Sequence, residues 1–264
     1  MTDFTTLELH IDGPVARIWL NRPEMRNAID DVFIRELAEA FTQAQAADGV
    51  RAVVLGGRGP AFCAGANLNW MKRAASFTPE QNLQDAAGLP RMLRTLADSR
   101  LPVIARIQGD VYAGGMGLVS VCDVAISADS ANYCLSEVKI GLIPATISPY
   151  VIRAMGARAA QRYFLTAERF TAAEAHRVGL VHEVVPADAL DAKVDEVLKN
   201  ILAAAPGAVA ESKRLLRDVT GQPIDDELAA ETVRRIAALR ASEEGQEGLR
   251  AFLEKRKPAW AQAR

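Results

Sequence analysis

Histidine and cysteine are scarce in this chain of 264 residues, with three of each. His10, His176 and His182 stand apart, without an HExxH pair or a His/Cys cluster at ligand spacing, so no metal centre is expected. Cys63, Cys122 and Cys134 form neither a CxxC pair nor a disulfide pattern, which suits a reducing cytoplasm. No recognisable histidine partners Cys63, so it reads as a small packing residue rather than a nucleophile. Apolar runs fall short of the roughly 18 residues of a membrane span. The N-terminal MTDFTTLELHIDG is acidic and has no apolar signal region. An excess of one charge is also missing: the net charge is −2 and the lysines are scattered, so nucleic acid is not an expected partner. A GxxxxGK loop is absent, and in Gly115-x-Gly117-x-x-Ser120 the third small residue of a dinucleotide fingerprint is neither Gly nor Ala, with no acidic strand end suitably downstream.

What is present is ordinary globular composition, 50% apolar and 24% charged. A chain of this length suits one large α/β domain with a smaller helical appendage. Val15–Leu20 alternates as a strand, and Val50–Leu55 is a continuous apolar strand. Between them, apolar residues recur at helical spacing from Asp30 to Ala46, with Asp30 as the cap. A loop over Gly59–Asn69 and one helix over Pro79–Leu96 follow. Further strands are expected at Pro102–Ile107, Asp123–Ser127 and Ala131–Leu135, with a helix over Ala113–Cys122. After Ser148 the pattern is almost wholly helical, broken near Gly156, Gly179–Pro186, Pro206-Gly207 and Gly221–Pro223. The expected division is therefore a core over residues 1–200 and a helical region over 201–264. The apolar faces of that region need another surface, from the core or from another subunit.

Three stretches carry chemistry. Ala61-Phe-Cys-Ala-Gly-Ala-Asn-Leu68 follows a buried strand and is built of small residues, so its amides can approach a ligand closely. Gln108-Gly-Asp-Val-Tyr-Ala-Gly-Gly-Met-Gly117 is a glycine-rich turn at a helix start, where unpaired N–H groups attract negative charge. Ser136-Glu-Val-Lys-Ile-Gly-Leu-Ile-Pro144 holds a lone carboxylate, Glu137, among apolar residues. Two amides converging on one oxygen make an oxyanion hole. Taken singly, the glycines serve tight turns equally well, and a lone glutamate is more often a surface or capping residue.

Together, however, the three stretches resemble the enoyl-CoA hydratase/isomerase (crotonase) superfamily. The likeness runs nearly end to end, from Leu20-Asn-Arg-Pro23 and Arg26-Asn-Ala28, through Gly179–Pro186, to Glu247–Lys257. It implies an α/β spiral of ββα units with a C-terminal helical trimerisation region, assembled as a homotrimer or a dimer of trimers. The resemblance also assigns roles. Oxyanion donors would be the N–H groups of Ala66 and Gly114, and the acid would be Glu137. Ala64 and Leu68 would line the CoA adenine site, Arg26 would lie near the CoA phosphates, and Phe252 and Lys255 would reach CoA from the C-terminal region. CoA arrives as part of the acyl-CoA substrate, and no separate cofactor is implied.

Two positions depart from the family pattern. Typical hydratases of the superfamily place a second glutamate where this chain has Gly117, and one carboxylate must then do the work of two or recruit help. The segment from Ser136 to Ala160 resembles bacterial 3-methylglutaconyl-CoA hydratase-like proteins, so Gly117 is expected to leave room for a branched, carboxylated acyl chain. Ala145 stands where dehalogenase and dienoyl-isomerase branches need an aspartate. The expected activity is hydration of a 2-enoyl-CoA, with 3,2-enoyl-CoA isomerisation as the alternative.

Overall fold

A computed structural model describes residues 3–261. The chain opens with a hairpin of β1 (Leu7–Asp12) and β2 (Val15–Leu20), turned at Gly13 with φ +53°. Helix α1 (Asp31–Ala46) follows, and the Asp30 side chain caps it by accepting from the Phe33 N–H. Three ββα turns come next. The first is β3 (Ala52–Gly57), β4 (Ala61–Cys63) and the helices α2 (Leu68–Ala74), α3 (Pro79–Ala86) and α4 (Gly88–Ala97). The second is β5 (Val103–Ile107), β6 (Asp110–Tyr112) and α5 (Gly114–Ser120), and the third is β7 (Val124–Ala128), β8 (Asn132–Cys134) and α6 (Ser148–Thr166). The chain continues through β9 (Phe170–Thr171), α7 (Ala172–Arg177), β10 (Glu183–Val185) and α8 (Leu190–Ala203). It ends with α9 (Pro206–Val219), α10 (Asp226–Ala241) and α11 (Glu243–Leu253).

In each turn the two strands part company. The first joins a six-stranded sheet ordered β1-β2-β3-β5-β7-β10, and the second joins a four-stranded sheet ordered β4-β6-β8-β9. This is the expected spiral of ββα units. The six-stranded sheet is parallel from β2 onward, and its inner strand β3 is buried on both faces, which is why Ala52–Leu55 reads as an unbroken apolar run. Val53, Leu55, Val103 and Ala105 point into the main core with Phe33, Leu37 and Phe41 of α1. Their neighbours Val54 and Ile104 point the other way, against Leu190, Val194 and Leu198 of α8. Successive turns stack tightly at Gly109, where a Cβ would lie 2.0 Å from the Pro60 carbonyl oxygen.

Several elements differ from the sequence expectation. The helix expected over Pro79–Leu96 is two helices, interrupted at Ala87. Strand β9 interrupts the region expected to be helical, and β10 fills part of the break expected at Gly179–Pro186; at two and three residues both are too short for alternation to show. The position 200/201 lies within α8, whose Leu190, Val194 and Leu198 are buried against the outer face of the six-stranded sheet.

Candidate active site

Strands β4, β6 and β8 are adjacent and parallel, so their carboxyl ends open on one edge. Ligands in open α/β sheets bind at such edges. The three stretches singled out in the sequence leave that edge together: Ala64–Leu68 after β4, Ala113–Gly117 after β6 and Glu137 after β8. Short links hold them. The Ala113 N–H donates to the Cys134 carbonyl at 2.9 Å. Gly65, at φ +89°, leaves no space for a Cβ, which would lie 2.9 Å from the Ala113 Cβ. Ile29 touches both loops: its backbone bridges Ala66, and its Cδ1 lies 2.8 Å from where a Gly114 Cβ would stand.

That bridge decides which amides are free. The Ile29 N–H donates to the Gly65 carbonyl and the Asn67 N–H donates to the Ile29 carbonyl, both at 2.7 Å. The peptide groups on either side of Ala66 are thereby turned toward Ile29, while the Ala66 N–H faces away and takes no partner among the described residues. Gly114 is the first residue of α5, so its N–H lacks an intrahelical acceptor, and none is supplied from elsewhere among the described residues.

Glu137 opens a short 3-10 turn, Glu137–Ile140, and is half-buried. Its Oε2 is buried and has no hydrogen-bond partner among the described residues. Burial pushes the carboxyl pKa up, against a smaller opposing effect of its own backbone N–H. A carboxyl whose pKa is raised by folding contributes its stability fully below the unfolded-state value and loses it as pH rises through the folded-state value. Glu137→Gln is therefore expected to melt above the native chain at about pH 8, with the two converging near pH 4, the ordinary glutamate range. Calorimetry across pH checks this.

Gly117 corrects an expectation. It lies buried in α5, and a Cβ there would meet Ile147 Cγ2 at 2.4 Å and Leu93 Cδ1 at 3.3 Å. The missing side chain leaves no acyl space, because Ile147 at the start of α6 fills it. The glycine serves close packing between α5 and α6.

Ala64 adjoins the edge and donates its N–H to the Arg26 carbonyl at 3.0 Å, which brings Arg26 to the first loop. Arg26 and Leu68 are exposed there, Leu68 as the first residue of α2. Phe252, at 81% exposure on α11, and Lys255 just beyond it share no hydrogen bond or ion pair with the three loops. Two of the histidines contact backbone: His182 Nδ1 accepts from the Ala125 N–H, and His176 Nδ1 lies 3.3 Å from the Val181 carbonyl. Cys63 is fully buried, and burial raises its thiol pKa to about 12. No group of His, Cys, Asp or Glu among the described residues is arranged to hold a metal ion. No helix among them is long and apolar enough to cross a membrane. Sequence reasoning passed over Ile29, Ile147 and the pairing of Asp30 with Asn67; nothing in their local pattern marks them, since they act through distant segments.

Comparison with known proteins bears on this arrangement. Residues 10–263 match the family model described as enoyl-CoA hydratase/isomerase. The crystal structure of an enoyl-CoA hydratase from Shewanella pealeana superposes with a TM-score of 0.95 at 42% identity, covering 97% of this chain and 96% of that one. An enoyl-CoA hydratase of Alternaria alternata is 34% identical over 232 residues, 86% of this chain and 74% of that one. A mevalonyl-coenzyme A hydratase of Aspergillus fumigatus is 33% identical over 245 residues, 91% and 89% of the two chains.

Proposed function

The chain belongs to the enoyl-CoA hydratase/isomerase family of enzymes acting on enoyl-CoA thioesters, and from that premise we propose that it hydrates a 2-enoyl-CoA with Glu137 as its proton-moving carboxylate. The observation that carries this reading is the shared edge: two unpaired backbone amides and one buried, unpartnered carboxylate oxygen. The thioester oxygen accepts from the Ala66 and Gly114 N–H groups, which stabilise the charge that develops as water adds at C3 and an enolate forms. Fixed donors of this kind need no reorganisation during the reaction. Glu137 takes a proton from the attacking water and returns one to C2, so hydration is balanced without another reactant. Ala64 and Leu68 line the path of the CoA adenine through backbone atoms, and exposed Arg26 faces its phosphates.

Phe252 and Lys255 act on CoA bound to a neighbouring subunit, in a trimer or a pair of trimers. In support, Ala251 is the one buried residue of α9, α10 and α11 among the described residues, and Leu216, Val233, Phe252 and Leu253 are more than half exposed. A branched short acyl group, with methylglutaconyl as the leading case, is supported by the resemblance over Ser136–Ala160 and by the relative named for mevalonyl-CoA, itself a branched acyl group.

A second reading, migration of a double bond between C3 and C2, is favoured by one observation. Ile147 occupies the space beside Gly117, so no second carboxylate can join Glu137 from that position. A panel of 2-enoyl, 3-enoyl and methylglutaconyl thioesters separates the readings. Expected are water uptake by the 2-enoyl substrates and faster turnover of methylglutaconyl-CoA than crotonyl-CoA. Double-bond migration without water uptake would establish isomerisation instead, and a strong preference for crotonyl-CoA would rule out the branched substrate.

A further inference from the structure

We infer that Asp30 is a positioning residue for the reaction, aiming the Ala66 N–H through a buried side-chain link to Asn67. The inference rests on the assignment of Ala66 as an oxyanion donor. Asp30 is 7% exposed, as is Asn67, and the two are 37 residues apart in sequence. Asp30 Oδ2 accepts from Asn67 Nδ2 at 3.1 Å and from Arg22 Nη1 at 2.6 Å, while Oδ1 accepts from the Phe33 N–H at 2.9 Å. Arg22 is held in turn by donating through Nη2 to the Ala28 carbonyl at 2.5 Å. Asn67 Oδ1 accepts from the Asn69 N–H at 2.8 Å, so one side chain both caps α2 and reaches Asp30.

These contacts close a ring around the donor. Ile29 holds the peptides on both sides of Ala66, and Asp30, its neighbour in sequence, holds the next residue, Asn67, by its side chain. Rotation of the Ala66 peptide must therefore break a link between two buried side chains as well as two backbone bonds. Burial alone would raise the Asp30 carboxyl pKa, but the Arg22 guanidinium and the Phe33 N–H hold it below its ordinary value, so it remains an acceptor for all three donors at neutral pH. A link that sets direction rather than affinity acts on the transition state, where the oxygen carries most charge.

Asp30→Asn isolates the link, because asparagine caps a helix as well as aspartate does but presents an NH2 group to two other donors. Expected is a fall in kcat of about tenfold or more, with KM within about threefold. The added change Asn67→Asp reverses the polarity of the Asp30–Asn67 pair and is expected to restore part of the lost kcat, the bond from Arg22 remaining broken. Should Asp30→Asn not fold, Asn67→Ser keeps a cap for α2, cuts the same link and is expected to show the same split. The C=O stretch of a bound 2-enoyl thioester, read by difference infrared spectroscopy, separates two failures. No downshift in the native enzyme would remove the oxyanion assignment itself. A normal downshift that Asp30→Asn or Asn67→Ser leaves intact, with kcat within twofold of native, would overturn the positioning role alone, as would a double variant no faster than Asp30→Asn.

Discussion

Replacing Glu137 by glutamine is expected to lower turnover by about two to four orders of magnitude, the usual worth of a positioned general acid–base group, with CoA affinity unchanged. The substitution preserves shape and removes only the ionisable function. Glu137 Oε2 meets no protein donor among the described residues, so the amide breaks no hydrogen bond there. The loss should fall equally on kcat and kcat/KM, the signature of an interaction made in the transition state. Steady-state kinetics with a 2-enoyl-CoA, alongside calorimetric titration of CoA, reads both quantities. Near-native turnover would take the carboxylate out of the mechanism, leaving the two amides without a proton carrier.

Gly65→Ala is expected to reduce kcat by about a hundredfold, because the geometry of the two donors depends on the contact it disrupts. A Cβ at Gly65 would press on the Ala113 Cβ at 2.9 Å and the Tyr112 carbonyl oxygen at 3.3 Å, and Ala113 immediately precedes Gly114. Parting the loops by even about 1 Å is enough for a loss of that size. The backbone also sits at φ +89°, where an L-residue costs about 1–2 kcal/mol of stability. Gly13→Ala is the matched control. It meets a comparable backbone penalty at φ +53°, but a Cβ there has nothing within 4 Å, so its stability should fall while kcat stays native. Chemical denaturation and steady-state kinetics on the two variants together separate strain from loss of aim.

Local pattern made several elements legible: β2 lies where alternation places it, α1 where helical spacing and the Asp30 cap do, and β5 and α5 lie within a few residues of the strand before Gly109 and the helix entered through glycines. The hairpin strand β1 went unread although Leu7, Leu9 and Ile11 alternate with Glu8, His10 and Asp12, and only Leu7 of that apolar face is fully buried. Loops Ala64–Leu68 and Ala113–Gly117 and the turn at Glu137 stood out because small residues and a lone acid are unusual beside buried strands. Their convergence could not be read locally, since it comes from the pairing of β4, β6 and β8 across long separations. Gly117 was misread for the same reason. A missing side chain looks like space until the partner that fills it, Ile147, is placed beside it by the fold.

A crystal structure of the Glu137→Gln variant holding crotonyl-CoA tests the central claim most directly. The account predicts the thioester oxygen about 2.7–3.1 Å from both the Ala66 and Gly114 nitrogens, with residue 137 facing C2 and C3. A thioester oxygen turned to solvent, or bonded to neither amide, would contradict it.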